Sequence, residues 1–274
     1  MLGCTVWSMH PLDSALTLDQ VADDLMRGRT QPEWANMVGP FGGVTAATLL
    51  SAAERHPARQ GEPLALTVNY LAPIADGEFD ITARPVRTNR TNQHWTLELA
   101  QDGEAKTTAT AVFGMHRDTW TDTEAAFPTA PPPEDIPATG FGEFVVWVRN
   151  YEMRFVEGAI PGPDDGPSPT STTTLWVRDG RGRALDHAAL AAVSDIFYPR
   201  TFLRRGGFVP SGTISMTTYF HASVDELTTV GDDYVLGTAR ANRFSAGYFD
   251  QSGQLWSRTG QLLASTHQLV YFKA

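Results

Sequence analysis

Cysteine is almost missing from this chain: among 274 residues there is one, Cys4. An intrachain disulfide is therefore excluded, and the usage fits a reducing compartment. Basic residues are scarce. Lys and Arg number 21 against 31 Asp and Glu, a formal net charge of −10. That balance argues against nucleic acid or an anionic membrane as the main partner, though it leaves room for a local basic patch that meets a phosphorylated ligand. No stretch approaches 18 consecutive apolar residues, so no membrane-spanning helix is expected. The opening MLGCTVWSMHPLD lacks a basic region followed by a long apolar one, so no secretory leader is read there and a soluble, cytoplasmic protein is expected. Chemistry motifs are missing as well. Without G-x-S-x-G there is no serine-hydrolase elbow. Without H-E-x-x-H or paired cysteines there is no support for a metal. GRGRAL at 180–185 is not a dinucleotide fingerprint, so no cofactor is expected.

What the chain does have is ample core. Hydrophobic residues make up 42% and aromatics 10%, enough for one large domain or two of about 100–150 residues. Two segments stand out as charge-poor helices. In LDHAALAAVSDIFYP, 185–199, the residues Leu185, Ala188, Ala189, Ala192, Val193, Ile196 and Phe197 recur at helical steps. Asp186 can cap the start and Pro199 ends the run. Between Ala188 and Tyr198 the single charge is Asp195. A helix without a polar face is buried on all sides, so Asp195 is a candidate buried carboxylate. It also falls at the end of the helix, where the dipole disfavours an anion. Both effects push its pKa upward, as at many sites of chemistry. The other segment, GPFGGVTAATLLSAA at 39–53, has no charge and many small side chains, which let a helix sit close to a sheet.

Strand patterns surround these helices. Leu64, Leu66, Val68, Tyr70 and Ala72 alternate, as do Phe79, Ile81, Ala83 and then Trp95, Leu97, Leu99. Gln101-Asp102-Gly103 reads as a hairpin turn before a return strand over 105–113. Five prolines between 119 and 142 mark an extended, semi-rigid linker. The second half then repeats the first. Ile214, Met216, Thr218 and Phe220 alternate, further strands cover 234–239, 243–249 and 255–263, and Asp250–Gly253 is read as the matching turn. Asn69-Tyr70-Leu71 faces Tyr219-Phe220-His221 at an offset of 150, whereas Thr82-Ala83-Arg84 matches Thr238-Ala239-Arg240 at 156, so an insertion lies between. Three segments follow: an N-terminal domain 1–118, a Pro-rich linker 119–142 and a C-terminal domain 143–274. The expected class is α+β, with two antiparallel sheets each wrapped around a buried helix.

That architecture is the hot-dog fold in tandem. The segments FGGVTAATLLSAA, SDIFYP, TISMTTYFH and GQLWSRTGQ, in their order and spacing, resemble the type II acyl-CoA thioesterases, which carry a double hot-dog in one chain. The resemblance implies an acyl-CoA substrate, hydrolysis to free acid and CoA in fatty acid metabolism, and assembly into a homo-oligomer. It also implies that an Asp, a Thr and a Gln of the second copy activate a water. The Asp belongs to an S-D dipeptide late in the helix, here Ser194-Asp195. The Thr lies eight residues before the His of an F-H pair, here Thr213. The Gln lies eight after the Gly of a Q-x-G turn, here Gln261. Subtracting 150 from these numbers gives Thr45, Pro63 and Ala111, so the first copy lacks the set and one site per chain is expected.

The chemistry suits thioester cleavage. A carboxylate of raised pKa is a general base near neutral pH, and hydroxyl and amide groups can hold the same water. Free N–H groups at a helix start can meet the thioester oxygen, so Phe41, Gly42 and Gly43 are expected to line the substrate. Arg90, Arg204, Arg205 and Arg243 are candidates for the CoA phosphates. The D-x-x-x-x-H spacing of a hot-dog hydratase does not occur. His221 reads as structural and His187 as solvated. The alternative on the same fold is a non-hydrolytic acyl-CoA-binding protein. An interaction module without affinity for CoA esters is the third reading.

Overall fold

The computed structural model describes residues 9–140 and 145–273. Cys4 lies outside them. The chain opens with a short helix α1 (Pro11–Ala15), a hairpin β1 (Asp19–Ala22) and β2 (Leu25–Arg29), and the long helix α2 (Gly42–Arg55). A meander follows: β3 (Glu62–Tyr70), β4 (Glu78–Thr88), β5 (Asn92–Gln101) and β6 (Glu104–Gly114). The second half contributes β7 (Tyr151–Glu157), β8 (Thr173–Asp179), α3 (His187–Val193), α4 (Arg200–Arg205) and β9 (Ser211–Phe220). After it come α5 (Val224–Val230), β10 (Val235–Arg240), β11 (Phe244–Ser245), β12 (Tyr248–Ser257) and β13 (Leu262–Phe272).

The two meanders join through β3 and β9 into a single 13-stranded sheet, ordered β1-β2-β4-β5-β6-β3-β9-β13-β12-β10-β8-β7 with β11 on β12. Joining them hides two edges that would otherwise expose unpaired backbone. At the seam Thr67 lies opposite Thr217, and their hydroxyls meet at 3.0 Å. Equivalent residues facing each other across an antiparallel pair mark a local two-fold, here with an offset of 150. Both seam strands carry a bulge at the same place, Leu64 in β3 and Ile214 in β9, where the register slips by one.

The insertion inferred from the sequence is α5, which has no counterpart in the short β3–β4 connection. Beyond it, Ala83 pairs with Leu97 as Ala239 pairs with Gly253, the expected offset of 156. The turns agree less well with expectation. Asp102 and Gly103 do turn the first hairpin, both at positive φ (51° and 77°), as a tight two-residue loop requires. Asp250–Gly253, expected to be the second turn, lies inside β12. The chain turns instead at Arg258–Gln261, with Gly260 at φ 88°. The Gln-Ser-Gly run is polar because its Gln faces inward, not because the chain bends there.

The charge-poor helices fill the concave side. Ala46, Ala47, Leu49, Leu50, Ala52 and Ala53 of α2 are fully buried, as are Leu190, Ala191 and Ala192 of α3. The two helices touch so closely that a Cβ on Gly43 would lie 2.3 Å from the Ala192 carbonyl oxygen. Before β7 the chain makes a 3₁₀ turn over Trp147–Asn150. The Pro-rich stretch contains a 3₁₀ turn at Pro133–Asp135, and it is strapped to the outer face of the second meander. Trp176 Nε1 donates to the Pro131 carbonyl at 2.8 Å, Phe127 meets Trp256 edge-on, and Arg258 pairs with Glu134.

Candidate active site

Helix α3 ends earlier than the apolar spacing predicts. Asp186 caps it through the Ala189 N–H at 2.7 Å. At the other end the Ser194 hydroxyl donates back to the Leu190 carbonyl at 2.8 Å. The Asp195 and Ile196 N–H groups then bond three residues back, to Ala192 and Val193, tightening the last turn into 3₁₀ geometry. Asp195 thus stands just past the helix, and its carboxylate turns toward the start of α2 in the other copy. There Phe41 supplies no side-chain cap, so the first N–H groups of α2 are left for other acceptors.

Three effects act on the Asp195 carboxyl. Burial pushes its pKa up, to about 7, against the lowering effect of two donors, the Gln268 amide and the Gly43 N–H. The α2 dipole also favours the anion at this end. Desolvation wins, so the group holds a proton to near neutrality and can give or take one there. The first half supplies the other wall. Tyr70 at the end of β3 donates to the Gly42 carbonyl at 2.9 Å, and burial, then the Asp195 charge, raise its phenol well above the usual range.

Gln268 of β13 is buried, and its Nε2 donates to Asp195 Oδ1 at 2.8 Å. Thr213 Oγ1 donates to Gln268 Oε1 at 3.3 Å. The bulge at Ile214 explains how Thr213 reaches it. Met216, Thr218 and Phe220 face inward by strict alternation, which would turn Thr213 outward. One extra residue reverses the phase and aims Thr213 at the site. The amide orientation is set by chemistry: an ionised carboxylate only accepts, so Gln268 presents its NH₂ to Asp195 and its oxygen to the hydroxyl.

The structure therefore brings Asp195 and Thr213 together and does not bring Gln261 to them. Gln261 sits in the β12–β13 turn, its N–H on Ser257 Oγ at 3.0 Å. Seven residues of extended chain separate it from Gln268, on the order of 20 Å. The turn lies at 258–261 and not at 250–253, so a count of eight from Gly253 ends in the turn and not on β13. A signal was present: Ala264, Thr266, Gln268 and Val270 alternate as the inner face of β13, and a Gln is conspicuous there. Pairing through Met216 makes Ala111 the first copy's counterpart of Gln268, since Leu66 pairs with Ala111 as Met216 pairs with Gln268.

The glycine pair lies against Asp195. A Cβ on Gly42 would lie 2.6 Å from Asp195 Oδ2, so only glycine lets the carboxylate approach. Phe41 is not an open wall. Its ring is buried and stacked on Trp147, centroids 4.0 Å apart, so it can offer a ligand little beyond its backbone. His221 meets Ser265 Oγ at 3.0 Å. His187, expected in solvent, is buried under the β9–α5 connection with Nε2 on the Ala222 carbonyl at 3.0 Å. Arg90, Arg204, Arg205 and Arg243 are all exposed, and Arg204 is tied to the Ser168 carbonyl. Among the described residues there is no cluster of three metal-ligating side chains and no helix long and apolar enough to cross a membrane.

Comparison with known proteins identifies the family and the fold. Residues 30–114 match the acyl-CoA thioesterase N-terminal domain family and residues 125–272 the acyl-CoA thioesterase C-terminal domain family. A hot dog fold protein of unknown function from Alicyclobacillus acidocaldarius is 48% identical, with a TM-score of 0.92 over 97% of this chain and 99% of that one. Two more distant structures share the fold. The tesB protein of Mycobacterium avium subs paratuberculosis is 22% identical, with a TM-score of 0.78 over 96% of this chain and 98% of that one. An acyl-CoA thioesterase II from Mycobacterium marinum is 18% identical, with a TM-score of 0.75 over 96% and 98%. No curated protein matches the chain at a significant level.

Proposed function

The chain belongs to the acyl-CoA thioesterase family, and we propose that it hydrolyses acyl-CoA with a water held by Asp195, Thr213 and Gln268. The observation that carries this reading is the linked trio, Gln268 to Asp195 at 2.8 Å and Thr213 to Gln268 at 3.3 Å, around a carboxyl whose pKa is raised to about 7. Thr213 spends its proton on Gln268, which leaves its lone pairs to accept from a water that also donates to Asp195. Asp195 takes a proton as the water oxygen bonds to the thioester carbon, and the carbonyl π pair moves to its oxygen. The intermediate collapses with cleavage of the C–S bond, and the CoA sulfur recovers the proton from Asp195. Product release is then free acid and CoA, a step in fatty acid metabolism that fits a cytoplasmic enzyme. Gly42 and Gly43 border the substrate, exposed arginines meet the CoA phosphates, and the double unit assembles into a homo-oligomer.

Thiol release from a chain-length panel of acyl-CoA esters tests the proposal. Wild type is expected to release CoA, and Asp195→Asn to lose about 10³-fold in kcat, within the range for a general base, while keeping its melting temperature within a few degrees. Binding of CoA esters without release would favour the non-hydrolytic reading. Full activity in Asp195→Asn would overturn the assigned base.

A further inference from the structure

Arg200, the first residue of α4, is wholly buried, and its guanidinium touches only neutral acceptors. Nε donates to Gln251 Oε1 at 2.9 Å and to the Tyr198 carbonyl at 3.0 Å. Nη1 donates to Thr173 Oγ1 at 2.6 Å and to the Ser171 carbonyl at 3.2 Å, and Nη2 also meets the Tyr198 carbonyl. The ring of Tyr198 lies 4.4 Å from its charge centre. Among the described residues no carboxylate is within ion-pair distance of it. A buried cation without an anion is costly, by several kcal/mol in general, so its place next to the candidate site calls for a reason.

Gln251 supplies the connection. It is 1% exposed and lies directly opposite Gln268 in the β12–β13 ladder, on the same inner face, which puts the two side chains about 5 Å apart at Cβ. An arginine only donates, so Gln251 must give Arg200 its oxygen and aim its NH₂ away from it. That NH₂ has no hydrogen-bond partner among the described residues. A donor of this kind, buried, oriented and unused, sits beside the proposed water-holding trio. The guanidinium behind it polarises the amide and makes it a stronger donor.

We propose that Gln251, held by Arg200, donates to the thioester carbonyl oxygen and stabilises the oxyanion that forms there. Gln251 is then a catalytic residue and Arg200 a positioning residue. The charge balance fits the step. As water adds, Asp195 becomes neutral and the negative charge moves to the substrate oxygen, so the anion that Arg200 lacks in the resting protein appears during the reaction. The first copy has neither part. Its counterpart of Gln251 is Trp95, which pairs with Ala111 as Gln251 pairs with Gln268, and no helix like α4 separates α2 from β3.

This inference rests on the thioester-hydrolysis reading, and steady-state kinetics with the full chain separate the two. Gln251→Glu should form an ion pair with Arg200 and keep the melting temperature at or above that of wild type, while removing the donor. Its kcat is expected to fall 10²–10³-fold with KM within about threefold, the loss typical of one oxyanion-hole donor. Gln251→Leu should show the same kcat loss. With a dithioester substrate, whose sulfur is a poor acceptor, the loss should shrink at least about tenfold, which a merely structural role would not cause. Variants as active as wild type, or losing equally on both substrates, overturn the assignment while hydrolysis stands. A wild type that releases no thiol overturns both.

Discussion

The two copies present the same backbone with opposite inner faces. In the first, Leu66, Val68, Trp95, Leu97, Ala109 and Ala111 line the sheet beneath the helices, and all are buried. The strand pairing matches them one for one with Met216, Thr218, Gln251, Gly253, Thr266 and Gln268. Where these six positions of the first copy are apolar, the second carries four polar side chains and a glycine over which Phe197 lies, a Gly253 Cβ position being 3.3 Å from its ring. Of the six buried side-chain polar atoms without a partner among the described residues, five belong to the second copy. Each such group costs about 1–3 kcal/mol. At these six positions the first copy is a dry core, whereas in the second Thr218, Gln251 and Thr266 keep polar atoms without a partner among the described residues. The candidate site draws on both, because Gly42, Gly43 and Tyr70 of the first copy form the wall that Asp195 faces.

This division can be broken by substitution. The largest effect is expected from Trp95→Ala in the first copy. Removing a side chain that is 1% exposed should cost about 3–5 kcal/mol of stability while leaving kcat per folded molecule near wild type. A specific loss of kcat without destabilisation would show that the first face also does chemistry. A smaller effect, about 10² in kcat or roughly 2.7 kcal/mol, is expected for Gln268→Leu, with Gln261→Leu within about twofold of wild type. The reverse result would mean that the water is held from the turn by Gln261 and not from β13 by Gln268.

The smallest and most graded effect is with pH. With Asp195 titrating at about 7, kcat/KM should rise roughly tenfold per unit below that point and level above it. Stability should move the other way. The native pKa lies above the unfolded one, so the native state holds the proton more tightly, and stability present below about pH 4 is lost as pH rises toward 7. The melting temperature of wild type relative to Asp195→Asn should therefore fall between pH 4 and pH 8, and a flat difference would show an ordinary surface carboxylate.

Much of this was legible in one dimension because it depends on local periodicity. Alternation marked β3, β4, β5 and β9, the absence of charge marked α2 and α3, and one Asp in an apolar helix pointed to the site. The internal repeat placed the two meanders in register up to α5. Three matters depended on the third dimension. The seam between β3 and β9 is a pairing of edges 150 residues apart, which no local pattern encodes. Thr213 faces inward because of a one-residue bulge, and a bulge leaves almost no trace in composition. Gln268 and Gln251 are hidden because a buried polar strand residue and a turn residue look alike in sequence, so Gln-Ser-Gly resembles a turn. Periodicity alone determined which apolar residues of the clear strands and helices are buried and in what order those elements come. Only the tertiary structure decided which buried polar groups meet, because the contacts among Asp195, Gln268, Gln251 and Arg200 are set by strand register and by where a helix stops.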